Sequence, residues 1–151
     1  MGNKLMGTDI SPRHLRVLIA VVETGGISKA AQRLLRAPSA ITRSIHDLER
    51  VLSAPLFERQ ASGMLPIVFG DAAFVRAKRI ANEFGLARQE LAGLQVSPTA
   101  PIFSMLMTQR QLATIAALRE LGHMPSVANS LSISQPAVSE LPRAAALDAT
   151  P

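Results

Sequence analysis

Three runs of apolar residues at helical spacing, cut apart by glycine and proline, constrain this chain more than any other feature. Leu15, Leu18, Ile19 and Val22 recur at i, i+3, i+4 and i+7, which is the stripe of an amphipathic helix over about 12–24. Pro12 suits a first helical turn, where its missing N–H is no loss, and Ser11 ahead of it is the natural cap. Gly25-Gly26 stops that helix. Ile27, Ala30, Ala31 and Leu34 then mark a short second helix, for which Ser28 is the expected cap. Pro38 opens a third, whose buried face should be Ile41, Ile45, Leu48 and Leu52. Three short helices joined by tight turns have the layout of a helix-turn-helix.

After Pro55 the period changes. "LFERQASGMLPIV" sets Gly63 between two short apolar runs and reads as a small hairpin, or wing. A long helix is expected next, from about 70 to 93. Along it Ala73, Ala77, Ile80, Phe84, Ala87, Leu91 and Leu94 alternate steps of four and three, the seam of a helix that packs on another helix. The seam from Ala77 onward is therefore the expected dimerisation surface; the alternative is that it packs on the chain's own core. "QVSPTAP" (95–101) is rich in proline and small polar residues and marks a linker over 95–104.

Beyond the linker the chain repeats itself. Shifting the first segment by about 97 positions sets Arg13 on Arg110, Ala20 on Ala117, Glu23 on Glu120, Gly25 on Gly122, Ala31 on Ala128, Leu34 on Leu131 and Ala40 on Ala137. Repetition that also keeps element order outweighs any single motif. The pattern divides the chain into a winged head (10–69), a long helix (70–94), a linker (95–104), a partial second helix-turn-helix (105–141) and a disordered tail (142–151).

Composition narrows the partners. The 151 residues carry a formal charge of +5, with a pI of about 11.0. Residues 10–70 hold eight Lys/Arg against four Asp/Glu, whereas 97–151 hold three of each, so attraction for a polyanion lies in the first half. Cysteine is absent, which excludes disulfides and thiolate metal sites and fits a reducing cytoplasm. His14, His46 and His123 lack metal-ligand spacing, so no metal or cofactor is expected. No apolar run approaches the ~20 residues of a membrane span. No paired carboxylates, activated nucleophile or phosphate-cradling glycine loop appear, so the chain does not read as an enzyme.

"HLRVLIAVVETGGISKAAQRLLRAPSAITRSIHDLE" followed by "LFERQASG" resembles the amino-terminal domain of LysR-type transcriptional regulators. The likeness covers about 12–94 and rests on element order, the Ala30-Ala31 pair, "DLE" and "LFER…G". It implies a mainly α, winged helix-turn-helix fold and a bacterial, DNA-binding homodimer whose linker helices pair. It also implies a two-lobed effector domain after the linker, in whose place stands the second copy. The chain thus reads as a truncated or effector-less form, with no support for a small-molecule effector.

Three departures from the family pattern stand out. The third helix usually begins "SQPAVSR", but "APSAITR" from Ala37 to Arg43 puts Pro38 in the glutamine's place. The wing has Met64-Leu65-Pro66-Ile67 where a basic residue and "LT" are usual. The second copy keeps "SQPAVS" and then reads "ELPRAAALDATP", with Pro142 where the first copy has Ile45; proline in a helix interior costs ~3 kcal/mol or more. The second copy also places Arg119 at the position of Val22, and it is expected neither to fold alone nor to read DNA.

In the first head, a reading helix enters the major groove by its amino-terminal residues. Pro38, Ser39, Ala40, Thr42 and Arg43 are the candidates, opposite Ile41 and Ile45. Arg43 can fork onto guanine O6 and N7. Arg33, Arg36 and Arg59 are candidate phosphate contacts, and Ser28 can help the N–H groups of its helix hold a phosphate. The competing reading is a protein-interaction module that pairs through the long helix without touching DNA.

Overall fold

The computed structural model describes residues 10–91 and 104–122. Within them lie five helices and one two-stranded antiparallel hairpin. The first helix, α1 (Pro12–Thr24), starts where expected, with extended Ser11 as its cap and Pro12 in the first turn. The Ser11 N–H donates to Nδ1 of His14 at 3.1 Å, and Gly25 ends the helix in the left-handed region at φ 77. Helix α2 (Ile27–Leu34) differs in one respect: its cap is Gly26, with no side-chain bond, and Ser28 lies inside the helix. The Gly25-Gly26 turn already delivers the chain in helix-starting geometry, so no side-chain cap is needed two residues later. Pro38 opens α3 (Pro38–Leu52), preceded by extended Ala37, as steric exclusion before proline requires.

The hairpin comprises β1 (Phe57–Gln60) and β2 (Gly63–Pro66), with Phe57 opposite Pro66 and Gln60 opposite Gly63. Gly63 is at φ 135, and a Cβ there would collide with the carbonyl oxygen of Gly25. That same oxygen accepts the Met64 N–H at 3.0 Å, tying the wing to the end of α1. The long helix α4 (Val68–Leu91) begins two residues earlier than the glycine at 70 suggests. Its ladder opens from the Ile67 carbonyl, which accepts the Asp71 N–H at 2.9 Å. Gly70 instead serves a close approach: a Cβ on it would strike the Leu56 carbonyl oxygen.

Two clusters hold the head together. Val17, Ala20, Val21, Ala30, Ala31, Ile41 and Ile45 form one, joining the first three helices. Leu18, Leu48, Leu56 and Ala77 form the other, joining α1, α3, the entry to the wing and α4. Leu52, expected in the core, is 42% exposed, because the third helix outruns the surface it packs on. Ala77 corrects the seam: it is fully buried in the head itself and is withdrawn from any surface open to a partner.

The last described helix, α5 (Gln109–Leu121), has the bounds of α1 displaced by about 97 residues. Its ends repeat too. The Thr108 N–H donates to the Gln111 side chain at 2.9 Å, the Thr108 hydroxyl accepts the Gln111 N–H at 3.2 Å, and Gly122 closes at φ 73. Arg119 is exposed where the first copy places half-buried Val22, so its charge stays in water. The rest of the expected second copy, most of the linker and the expected tail lie outside the described residues.

Two glycines of α4 predict opposite outcomes. Gly85 meets nothing within 4 Å, so Gly85→Ala should stabilise by up to about 1 kcal/mol through helix propensity. Gly70→Ala gains the same propensity but must displace backbone at Leu56, so a net loss of about 1–3 kcal/mol is expected. Urea unfolding of the two variants measures both; a stabilised Gly70→Ala would contradict the close approach.

Candidate nucleic-acid interface

The third helix has two unlike sides. Ile41, Ile45 and Leu48 are at most 3% exposed, which fixes the roll of the helix. Pro38, Ser39, Thr42, Arg43 and His46 face outward, and Ala40 is half-buried. The Thr42 hydroxyl donates to the Pro38 carbonyl at 3.1 Å, leaving its oxygen free to accept. Ser44 is buried and donates to the Ala40 carbonyl at 3.0 Å. Arg43 has no ion pair among the described residues, so its fork is open to solvent. Ser39, Ala40 and Arg43 share a depression with His14 and Arg36.

The candidate phosphate contacts divide. Arg36, in the turn before α3, is exposed and makes no ion pair among the described residues. Arg59 projects from β1 and lines a hollow with Ser28, Lys29 and the Gly25-Gly26 turn, beside the uncapped start of α2. Lys29 was missed in the sequence, and it adds a second cation there. Arg33 is committed differently: its guanidinium bonds the Glu23 carboxylate at 2.6 Å.

Glu23 is the other residue that the sequence concealed. It sits near the end of α1, where the helix dipole disfavours an anion, and is held by Arg33 of α2 and, at 2.9 Å, by Lys78 of α4. Hydrogen bonds from Lys78 and then Arg33 hold its carboxyl below the ordinary glutamate range. No local spacing announces a contact that spans 55 residues. Glu49, by contrast, belongs to the "DLE" of the resemblance, and its role is now physical: its carboxylate accepts the Leu56 N–H at 2.8 Å.

Of the expected dimerisation residues, Ile80 is 39% exposed and Phe84 and Ala87 are half-buried. Leu91 is the last residue of α4, with its side chain outside the described residues, and so is Leu94. Among the described residues no group of acidic or histidine side chains could hold a metal, and no helix is long and apolar enough to cross a membrane.

A three-helix head with a two-stranded wing, followed by a long helix, defines a winged helix-turn-helix protein. Residues 12–70 match the bacterial regulatory helix-turn-helix protein family, lysR type. Among solved structures, a complex of the CbnR DNA-binding domain with DNA aligns at a TM-score of 0.53 and 32% identity, covering 56% of this chain and 97% of that one. A complex of the BenM DNA-binding domain with benA site 1 DNA aligns at 0.53 and 27%, covering 56% of this chain and 99% of that one. Residues 12–70 thus carry the helix-turn-helix domain of the LysR family. The regulator GalR of Pseudomonas putida is 38% identical over 126 residues, which is 83% of this chain and 30% of that protein. The small neutral protease regulatory protein of Streptomyces coelicolor is 34% identical over 86 residues, 54% of this chain and 27% of that one. The chain therefore spans about 30% of the length of these relatives.

The match to GalR has a further consequence. Covering 83% of 151 residues, it leaves about 26 unmatched, so wherever it begins it takes in all of α5. The segment that opens the second copy thus has a counterpart in a curated relative.

The Glu23 carboxylate ties stability to pH. Its lowered folded pKa contributes stability that is present above the ordinary glutamate value and is lost as pH falls through the folded value. Glu23→Gln should therefore flatten the acid side of the stability–pH curve, leaving neutral stability lower than in the parent. Thermal melts across pH 3 to 7 (about the range where carboxylates titrate) check this; parallel curves would contradict it.

Proposed function

We propose that the first head reads double-stranded DNA through the outward side of α3, and that the chain acts in transcription control as a homodimer paired through α4. One observation carries the DNA reading: Ser39, Thr42 and Arg43, which has no ion pair among the described residues, lie together on the exposed side of a helix whose other side is locked in the core. A protein reads bases with short polar and forked basic side chains that are already oriented, because each freedom lost on binding weakens the contact. Arg43 reads guanine, Ser39 and Thr42 contact a base edge or phosphate, and Ala40 packs on a thymine methyl. Pro38, lacking glutamine's amide, supplies shape alone. Arg36, Arg59 and Ser28 hold the backbone, and Arg33 joins them by exchanging Glu23 for a phosphate.

The dimer surface is the outer seam of Ile80, Phe84, Ala87, Leu91 and Leu94, without Ala77. Exposed Ile80 and half-buried Phe84 have apolar area to cover, and the relatives are regulators of the same family. A regulator of chromosomal DNA acts in the cytoplasm. The second copy is a second helix-turn-helix begun by α5; the equal bounds of α1 and α5, and the reach of the GalR match, support its being a built part of such proteins.

Two substitutions separate base reading from backbone holding. On a duplex selected from a random pool, Arg43→Ala should cost about 1–3 kcal/mol and relax base preference. Arg59→Ala should weaken selected and random duplexes alike and lower the salt slope by about one. Equal losses on both duplexes for both variants would overturn the assignment. A shallow salt slope in the parent would favour a protein-interaction module instead.

For the dimer, Ile80→Asp with Phe84→Asp should shift sedimentation from dimer to monomer without unfolding the head. A parent chain already monomeric at micromolar concentration would refute the seam.

A further inference from the structure

A cleft of about 500 Å³ opens between the start of α1, the α2–α3 turn and the segment leading into α5. Arg13, Arg16 and Arg36 give it its charge, and Leu106 and Thr108 close one side. None of the three arginines has a carboxylate within 4.0 Å among the described residues. The Arg13 Nε donates to the Leu106 carbonyl at 2.6 Å, which aims the guanidinium and leaves its four terminal N–H groups for a ligand. Three guanidinium groups without a counter-charge repel one another in the free protein, and an anion between them relieves that repulsion.

The position of the cleft names the anion. His14 and Arg36 line both this cleft and the depression that holds Ser39, Ala40 and Arg43. A duplex laid against α3 therefore carries its backbone past the cleft, and B-DNA presents a charge every ~1.7 Å of its axis. We infer that Arg13 and Arg16 of α1 form a second phosphate-holding edge of the DNA interface, gripping the backbone beside the bases that α3 reads. The inference rests on the DNA reading proposed above. Contacts of this kind fix register and orientation and carry no sequence information.

The test uses the full chain and its R13Q/R16Q variant on a duplex selected from a random pool. Log affinity against log salt should be shallower in the variant by about 0.9 for each phosphate released, with base preference unchanged. A second arm avoids any question of folding. Flanking phosphates of the duplex are replaced one at a time by uncharged methylphosphonate and titrated with the parent chain. At least one flanking linkage should weaken the parent and leave R13Q/R16Q unaffected. A variant with the parental slope, together with a parent indifferent to every flanking linkage, would overturn the inference. A parent with no steep salt slope on any duplex would overturn the DNA reading itself, and this inference with it.

Discussion

Leu56 is the residue on which the rest of the head depends, because all three of its groups are engaged. Its side chain is 1% exposed in the cluster with Leu18, Leu48 and Ala77. Its N–H is taken by the Glu49 carboxylate, and its carbonyl accepts the Ile67 N–H at 3.0 Å. That carbonyl also lies so close to α4 that only glycine fits at position 70. One residue thus joins the end of α3, the entry to the wing and the start of the long helix. Removing a buried leucine of this kind costs about 2–5 kcal/mol, a large part of the stability of a small domain.

The two clusters divide the work of holding α3. Ile41 and Ile45 anchor its first half against α1 and α2, and Leu48 anchors its second half against Leu18, Leu56 and Ala77. A helix held on one side along its length cannot roll, and so its other side is pre-set. The contacts of Glu23 extend this to α4, since one carboxylate bonds both Arg33 and Lys78. Such exposed pairs are worth little in stability, about 0–1 kcal/mol. Their value is geometric: they relate the long helix α4 to α2, the helix that precedes α3.

Much of this was legible in local spacing. The bounds of α1 and the opening of α3 follow from apolar period, glycine and proline, all of which act within a few residues. Local spacing misleads where distant chain decides. Leu52 keeps the period of its helix but runs beyond the surface that would cover it. Ala77 looks like one more step of a seam, yet the wing entry folds back to bury it. The cap placed at Ser28 assumed a side-chain bond that the glycine turn makes unnecessary. Glu23, Lys29 and the α1 arginines carry no motif, because their neighbours come from other elements. Of the second copy, the described helix α5 recurs with the bounds of α1 and a closing glycine.

The proposed function stands on the exposed side of α3 reading bases from the major groove. Dimethyl sulfate interference tests it directly, since the reagent methylates guanine N7 in the major groove and adenine N3 in the minor groove. On selected duplexes, methylation of a guanine N7 within the bound site should abolish binding by the parent chain. Arg43→Ala should become indifferent to that same methyl group. Interference confined to adenine N3, or none at either position, would contradict it.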